Sequence, residues 1–144
     1  MLNEVHTARQ KLQDGAYTCV VLCGGEEYNS HERGVKPLIM LLSSDRDLRG
    51  AVAADKTVGA GAAHLYVLMG VRSLWANVIS ASAMQILADN QIELSFGECV
   101  PHIINRRGDG ICPIEMAVAE AKSSQEAYGL IIDALDRLQK NQKI

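Results

Sequence analysis

The sequence lacks a basic stripe, a long apolar run, a leader-like apolar core and any paired cysteine motif. Each absence removes a class of function. Lysines and arginines are scattered over a chain of formal net charge -3, and only Arg106-Arg107 is locally basic. Duplex binding draws on clustered cations that release counterions from phosphates, so no nucleic-acid partner is expected. No segment reaches the ~20 consecutive apolar residues that cross a bilayer, so no membrane partner is expected. Residues 1–14 are amphipathic and mixed in charge, unlike the apolar core of an export signal. The four cysteines, Cys19, Cys23, Cys99 and Cys112, could close two disulfides. Without a signal for export they are expected to stay reduced, in a cytoplasmic protein.

What is present fits one globular domain over residues 1–144. Hydrophobic residues make up 48% and charged residues 22% of 144, and a chain of this length buries roughly 68–70% of its unfolded surface. Leu2, Val5, Ala8 and Leu12 recur at helical spacing before Gly15. Tyr17 to Cys23 reads as a buried strand, and Gly24-Gly25 as a hairpin turn that returns Glu26 to Ser30 antiparallel. Lys36 to Leu42, with Pro37 in its first turn, predicts a short helix. Then come a small-residue strand over Gly50 to Ala54, a helix from about Val58 to Met69 closed by Gly70, and a strand over Leu74 to Ile79. A helix capped by Ser80 and ending near Asn90 leads to a last strand over Ile92 to Phe96. The β-α-β-α-β order implies parallel strands joined by right-handed crossovers. Residues 97–111 read as a long polar loop. Pro113 opens a helix with Glu115 in its first turn, an ordinary start. Ser123 and Glu126 form a capping box for the last helix.

In open α/β sheets, ligands bind outside the carboxyl ends of strands at a topological switch. The hairpin must add to one side of the parallel strands, which places a switch near the third strand. The expected strand end, Asp55-Lys56-Thr57, leads into a helix start containing Gly59 and Gly61, and the next strand end leads into Ser80. Unpaired N–H groups at such a start suit a phosphate or carboxylate, with Lys56 as counter-charge. The alternative is that Asp55 and Lys56 are solvated loop charges and the glycines only permit close helix packing.

Three motifs carry a family resemblance: Gly34-Val35-Lys36-Pro37-Leu38, the run Gly50 to Gly59, and Val100 to Arg106 with Gly110 to Glu115. Together they resemble the family catalogued as domain of unknown function 1893, over nearly the whole chain. That family is grouped with the cytidine deaminase-like superfamily. The resemblance implies an α/β fold, a three-layer α/β/α sandwich around a mixed five-stranded sheet. A zinc deaminase places His-x-Glu or Cys-x-Glu at the helix start after the third strand and Pro-Cys-x-x-Cys at the one after the fourth. The matching segments read Thr57-Val58-Gly59-Ala60-Gly61 and Ser80-Ala81-Ser82-Ala83. Neither holds a His, Cys or Glu, so zinc deaminase chemistry is not expected.

The 97–111 loop holds the remaining chemistry. Asn105, Arg106, Arg107 and Asp109 could close over an anion, Arg offering a planar fork for phosphate, or they could form a surface turn around Gly108-Asp109-Gly110. Cys112 at a helix start is either a nucleophile, with His102 and Asp109 nearby, or a small half-buried N-cap. Cys99-x-x-His102 lacks a second paired half for zinc. The leading expectation is therefore a zinc-free domain that binds a small anionic or nucleotide-like ligand. Its expected contacts are Asp55, Lys56, Thr57, Gly59, Gly61, Ser80, Asn105, Arg106, Asp109 and Cys112, with no cofactor and no metal. The alternatives are an enzyme using Lys56 or Cys112 as nucleophile, and a non-catalytic module that forms a homodimer through its helices.

Overall fold

The computed structural model describes residues 2–105 and 107–142. Its element order is α1 (Leu2–Asp14), β1 (Cys19–Cys23), β2 (Glu26–Ser30), α2 (Lys36–Ser43), β3 (Val52–Val58), α3 (Ala60–Met69), β4 (Ser73–Ser80), α4 (Ala81–Asp89), β5 (Glu93–Val100), α5 (Pro113–Ala117) and α6 (Ser124–Gln142). Five strands form one mixed sheet in the order β2-β1-β3-β4-β5. The hairpin pairs antiparallel from Cys19 opposite Ser30 to Cys23 opposite Glu26, turning at Gly24 and Gly25 with φ of 57° and 84°. β1 is also antiparallel to β3, Cys19 standing opposite Asp55, whereas β3, β4 and β5 run parallel. The direction of the chain thus reverses between β1 and β3, on the hairpin side of the third strand as expected.

Strand alternation sends successive side chains to opposite faces, and two separate cores result. On one face Val20, Val52, Ala54 and Trp75 pack against Val5, Ala8 and Leu12 of α1. On the other, Val21, Ala53, Leu74, Ala76 and Ile79 pack with residues of α2 to α6, among them Leu38, Leu65, Leu87, Ile114 and Ile131. Arg9 lies over the Trp75 ring, 4.7 Å from its centroid. Among the described residues, no helix is long and apolar enough to cross a membrane.

Two strands run further than their composition suggests. β3 does not stop at Ala54: Asp55, Lys56 and Thr57 lie inside it, paired with β4 up to Val58 opposite Ile79. The helix after it accordingly starts at Ala60 with Gly59 as N-cap, not at Val58. A charged pair within a strand reads as loop, but here one charge is satisfied inside the core and the other faces solvent. β5 likewise passes through Gly97 and Glu98 to Val100, which shortens the expected 97–111 loop. A Cβ on Gly97 would stand 2.8 Å from the Asn77 carbonyl oxygen, so this glycine lets β5 lie close along β4. The caps are as expected. Ser80 Oγ accepts from the Ala83 N–H at 3.3 Å, and Ser123 Oγ accepts from the Glu126 N–H at 3.0 Å.

Candidate functional site

The carboxyl ends of β3 and β4 lead into the starts of α3 and α4, and a buried carboxylate from α5 closes the space between them. Glu115 is 6% exposed. Its Oε2 accepts from the Ile103 N–H at 2.6 Å and its Oε1 from Ser82 Oγ at 3.2 Å. A Cβ added to Gly59 would meet Ile103 at 3.1 Å and the Glu115 carboxylate at 3.6 Å, and one on Gly61 would meet Ile114 at 2.5 Å. Both glycines therefore sit where the chain itself, α5 and the segment before it, packs on the start of α3. A negative group near a helix N-terminus is favoured by the partial positive charge there, and Glu115 supplies one from within. Ser80, fully buried, caps α4 and lies 3.3 Å from Ser82 Oγ.

Lys56 is not at this place. Two residues beyond Ala54, it emerges on the α1 face, opposite to the face that carries α3. It lines a hollow of about 240 Å³ with Leu12, Gln13, Ala16, Tyr17, Trp75 and Asn77. Tyr17 is braced by His31, ring centroids 4.5 Å apart. Among the described residues the Lys56 ammonium has no ion pair. The end of α1 beside it is closed: the carbonyls of Lys11, Leu12 and Gln13 accept from the N–H groups of Gly15, Tyr17 and Ala16. The polar side chains that line the hollow are the Lys56 ammonium, the amides of Asn77 and Gln13 and the Tyr17 hydroxyl. A groove of about 320 Å³, lined by Leu42, Leu68, Gln125 and Tyr128, offers no unpaired charge.

Asp55 faces the α3 side and is bonded within the core. Its Oδ2 accepts from Tyr66 Oη at 2.6 Å and its Oδ1 from the Thr57 N–H at 3.1 Å. Burial pushes its carboxyl up to about 7, against the opposing pull of these hydrogen bonds. Burial, and then the neighbouring Asp55 charge, push the Cys19 thiol up to about 12. His64 is buried with Nδ1 2.9 Å from Ser124 Oγ, and burial lowers its pKa. Thr57 is exposed on the strand.

The polar loop is internally tied. Asn105 Oδ1 accepts from the N–H groups of Gly108 and Asp109, and its Nδ2 donates to Asp109 Oδ1 at 2.9 Å. A bridge between Ile104 and Ile111 closes the base of the turn. Asn105 and Asp109 thus satisfy each other, and Arg106 lies outside the described residues. Cys112 is half-buried at the N-cap of α5 without a side-chain capping bond. All four cysteines are free thiols.

The family model described as domain of unknown function (DUF1893) matches residues 7–135. The chain belongs to the DUF1893 family. The solved structure of a DUF1893 family protein from Thermotoga maritima is similar to it with a TM-score of 0.84. That protein is 25% identical in sequence, the match covering 95% of this chain and 91% of that one. No curated protein matches the chain.

In this DUF1893 domain the nine expected site residues that are described do not form one cluster. Gly59, Gly61, Ser80 and the Cys112 segment converge around Glu115. Lys56 lies across the sheet, Asp55 within the core between them, and Asn105 and Asp109 in their own turn. Sequence reading missed Glu115, whose place after Pro113 reads as an ordinary first-turn acid, and Asn77, whose position opposite Gly97 is legible only in the strand register. Among the described residues no three His, Cys, Asp or Glu side chains are grouped to hold a metal ion.

Proposed function

We propose that this DUF1893 domain binds a small anionic, nucleotide-like ligand, with its charged group on Lys56 in the hollow between the end of α1 and strands β3 and β4. The unpaired ammonium beside two side-chain amides, on an aromatic and aliphatic wall, carries this reading. A few placed polar groups fix the orientation of a small molecule in a concavity, and here polar and apolar groups share the lining of the hollow. The hollow is of a size for one phosphate-bearing or ring-sized portion, with the rest of the ligand lying along the exposed Ser95 and Gly97 of β5. This places the anion on Lys56 rather than at the start of α3, where Glu115 already stands. Asp55 then acts from behind the sheet, holding β3 in place without touching the ligand.

The fold we infer is the three-layer α/β/α sandwich of the cytidine deaminase-like superfamily. The strand order, the antiparallel hairpin and helices on both faces support it. Thr57 to Gly61 and Ser80 to Ala83 supply none of that superfamily's zinc ligands, so the ligand is bound without zinc deaminase chemistry. The cytosol suits the four free thiols.

The single tryptophan of the chain, Trp75, lines the hollow and reports on it by fluorescence. Titration with adenosine monophosphate, ribose 5-phosphate and inorganic phosphate should give saturable binding to at least one of them. Lys56→Ala should weaken that binding about tenfold, the ~1.4 kcal/mol of one charge-assisted contact. Absence of saturable binding, or equal binding by Lys56→Ala, rejects the reading.

A further inference from the structure

The sheet has two edge strands, β2 and β5, and β5 is exposed along most of its length. Among the described residues β5 pairs only with β4, which leaves one row of backbone N–H and C=O groups along its eight residues facing outward. Neither side of the strand is covered well. α1 packs against β1, β3 and β4, so Ser95, Gly97 and Cys99 are exposed on its face. On the other face α4 reaches β5 only in part, and Phe96 is 41% exposed there. Phe96 is the single phenylalanine of the chain, and it stands at the middle of the edge. Of the usual guards of such an edge, Glu93 to Val100 carries two exposed carboxylates, Glu93 and Glu98, but no proline, lysine or bulge.

We propose that β5 pairs antiparallel with β5 of a second copy about a two-fold axis at Phe96, joining two five-stranded sheets into one. A two-fold normal to the sheet keeps equivalent faces on the same side, so residues of the same parity oppose one another. With the axis at Phe96, each Phe96 meets its counterpart, Ser95 opposes Gly97, Leu94 opposes Glu98 and Glu93 opposes Cys99. The two acidic side chains of each strand therefore never face an acidic residue of the other copy, where like charges directly opposite are destabilising. The apolar contact lies at the centre of the register and the carboxylates lie towards its ends, the arrangement of an apolar core with a polar rim. A second copy suits this edge because one side-chain order satisfies both partners at once.

Analytical ultracentrifugation of the full chain should show a particle of twice the 15.6 kDa chain mass. Phe96→Glu places two carboxylates on the axis and should give a monomer with unchanged circular dichroism, because position 96 is exposed in the single chain. Opposed residues of antiparallel strands have Cα atoms about 4.5–5.5 Å apart, within disulfide reach. Phe96→Cys with Cys99→Ser should therefore form a 96–96 disulfide under mild oxidation, identified by peptide mass. A monomer at every concentration, a dimer that survives Phe96→Glu, or a dimer without the 96–96 link would each overturn the proposal. So would a chain that stays monomeric alone and binds an extended peptide along β5.

Discussion

Tyr66 of α3 donates a 2.6 Å hydrogen bond to the carboxylate of Asp55 in the third strand, both residues buried. This pair joins the central helix to the middle of the sheet, and burial of the carboxyl makes the stability of the domain depend on pH between about 3.8 and 7.

The Asp55 carboxyl is raised from 3.8 to about 7, first by burial. A raised acid favours its protonated form in the folded chain. Its contribution is therefore complete below about 3.8 and is lost as pH rises through about 7. Urea unfolding of Asp55→Asn should lose the part of the pH dependence between those values that the wild type shows, a few kcal/mol in size. The amide can still accept from Thr57 and donate to Tyr66 Oη, so the variant should fold. A carbon-13 titration of the Asp55 carboxyl with its midpoint in the ordinary range would contradict this account.

Tyr66→Phe leaves Asp55 Oδ2 without its donor. The cost should be about 1–3 kcal/mol and largest at alkaline pH, where Asp55 is ionised in both states. A uniform loss across pH would mean that packing, not the hydrogen bond, is what Tyr66 supplies.

His64 works with the opposite sign. Burial lowers its pKa, so its contribution is present above the ordinary value of 6.5 and is lost as pH falls through the lower, folded value. Proton NMR should find the His64 ring titrating below the ordinary value of 6.5. A midpoint at or above that value would show that the ring is open to water.

Glu115 fastens three elements through Ile103, Ser82 and the start of α3. Glu115→Ala should destabilise the domain by about 2 kcal/mol, because the Ile103 N–H loses its acceptor. Sodium formate should then raise the melting temperature of the variant more than sodium chloride of equal ionic strength does. Equal effects of the two salts would show that no anion site is left behind.

Gly61 is a packing requirement. Gly61→Ala sets a methyl 2.5 Å from Ile114 Cγ2, and overpacking of this kind costs about 1–3 kcal/mol. Adding Ile114→Val, which removes bulk at the contact, should recover part of that loss in a double-mutant cycle. Strict additivity of the two changes would place the damage elsewhere.

The order of elements, the direction of the three central strands and the antiparallel hairpin were legible in the sequence. Periodicity of 3.6 or 2, the Ser80 and Ser123 caps and the Gly24-Gly25 turn are local signals, set within a few residues of chain. The extent of β3 and β5 was not legible, because Asp55-Lys56 and Gly97-Glu98 have loop composition. Pairing with β4 keeps them in strands, with Tyr66 satisfying Asp55 and the missing side chain at Gly97 letting the strand lie against the Asn77 carbonyl. The same two contacts decide the site. A strand that runs four residues past Ala54 turns Lys56 to the α1 face and Asp55 to the α3 face, so neighbours in sequence end on opposite sides of the sheet. Glu115 arrives between two helix starts from a segment more than thirty residues away from either strand end in one case and more than fifty in the other. Local patterning determined which elements form. Which side chains share a space was decided by strand register and long-range packing, since both depend on contacts between residues far apart in the chain.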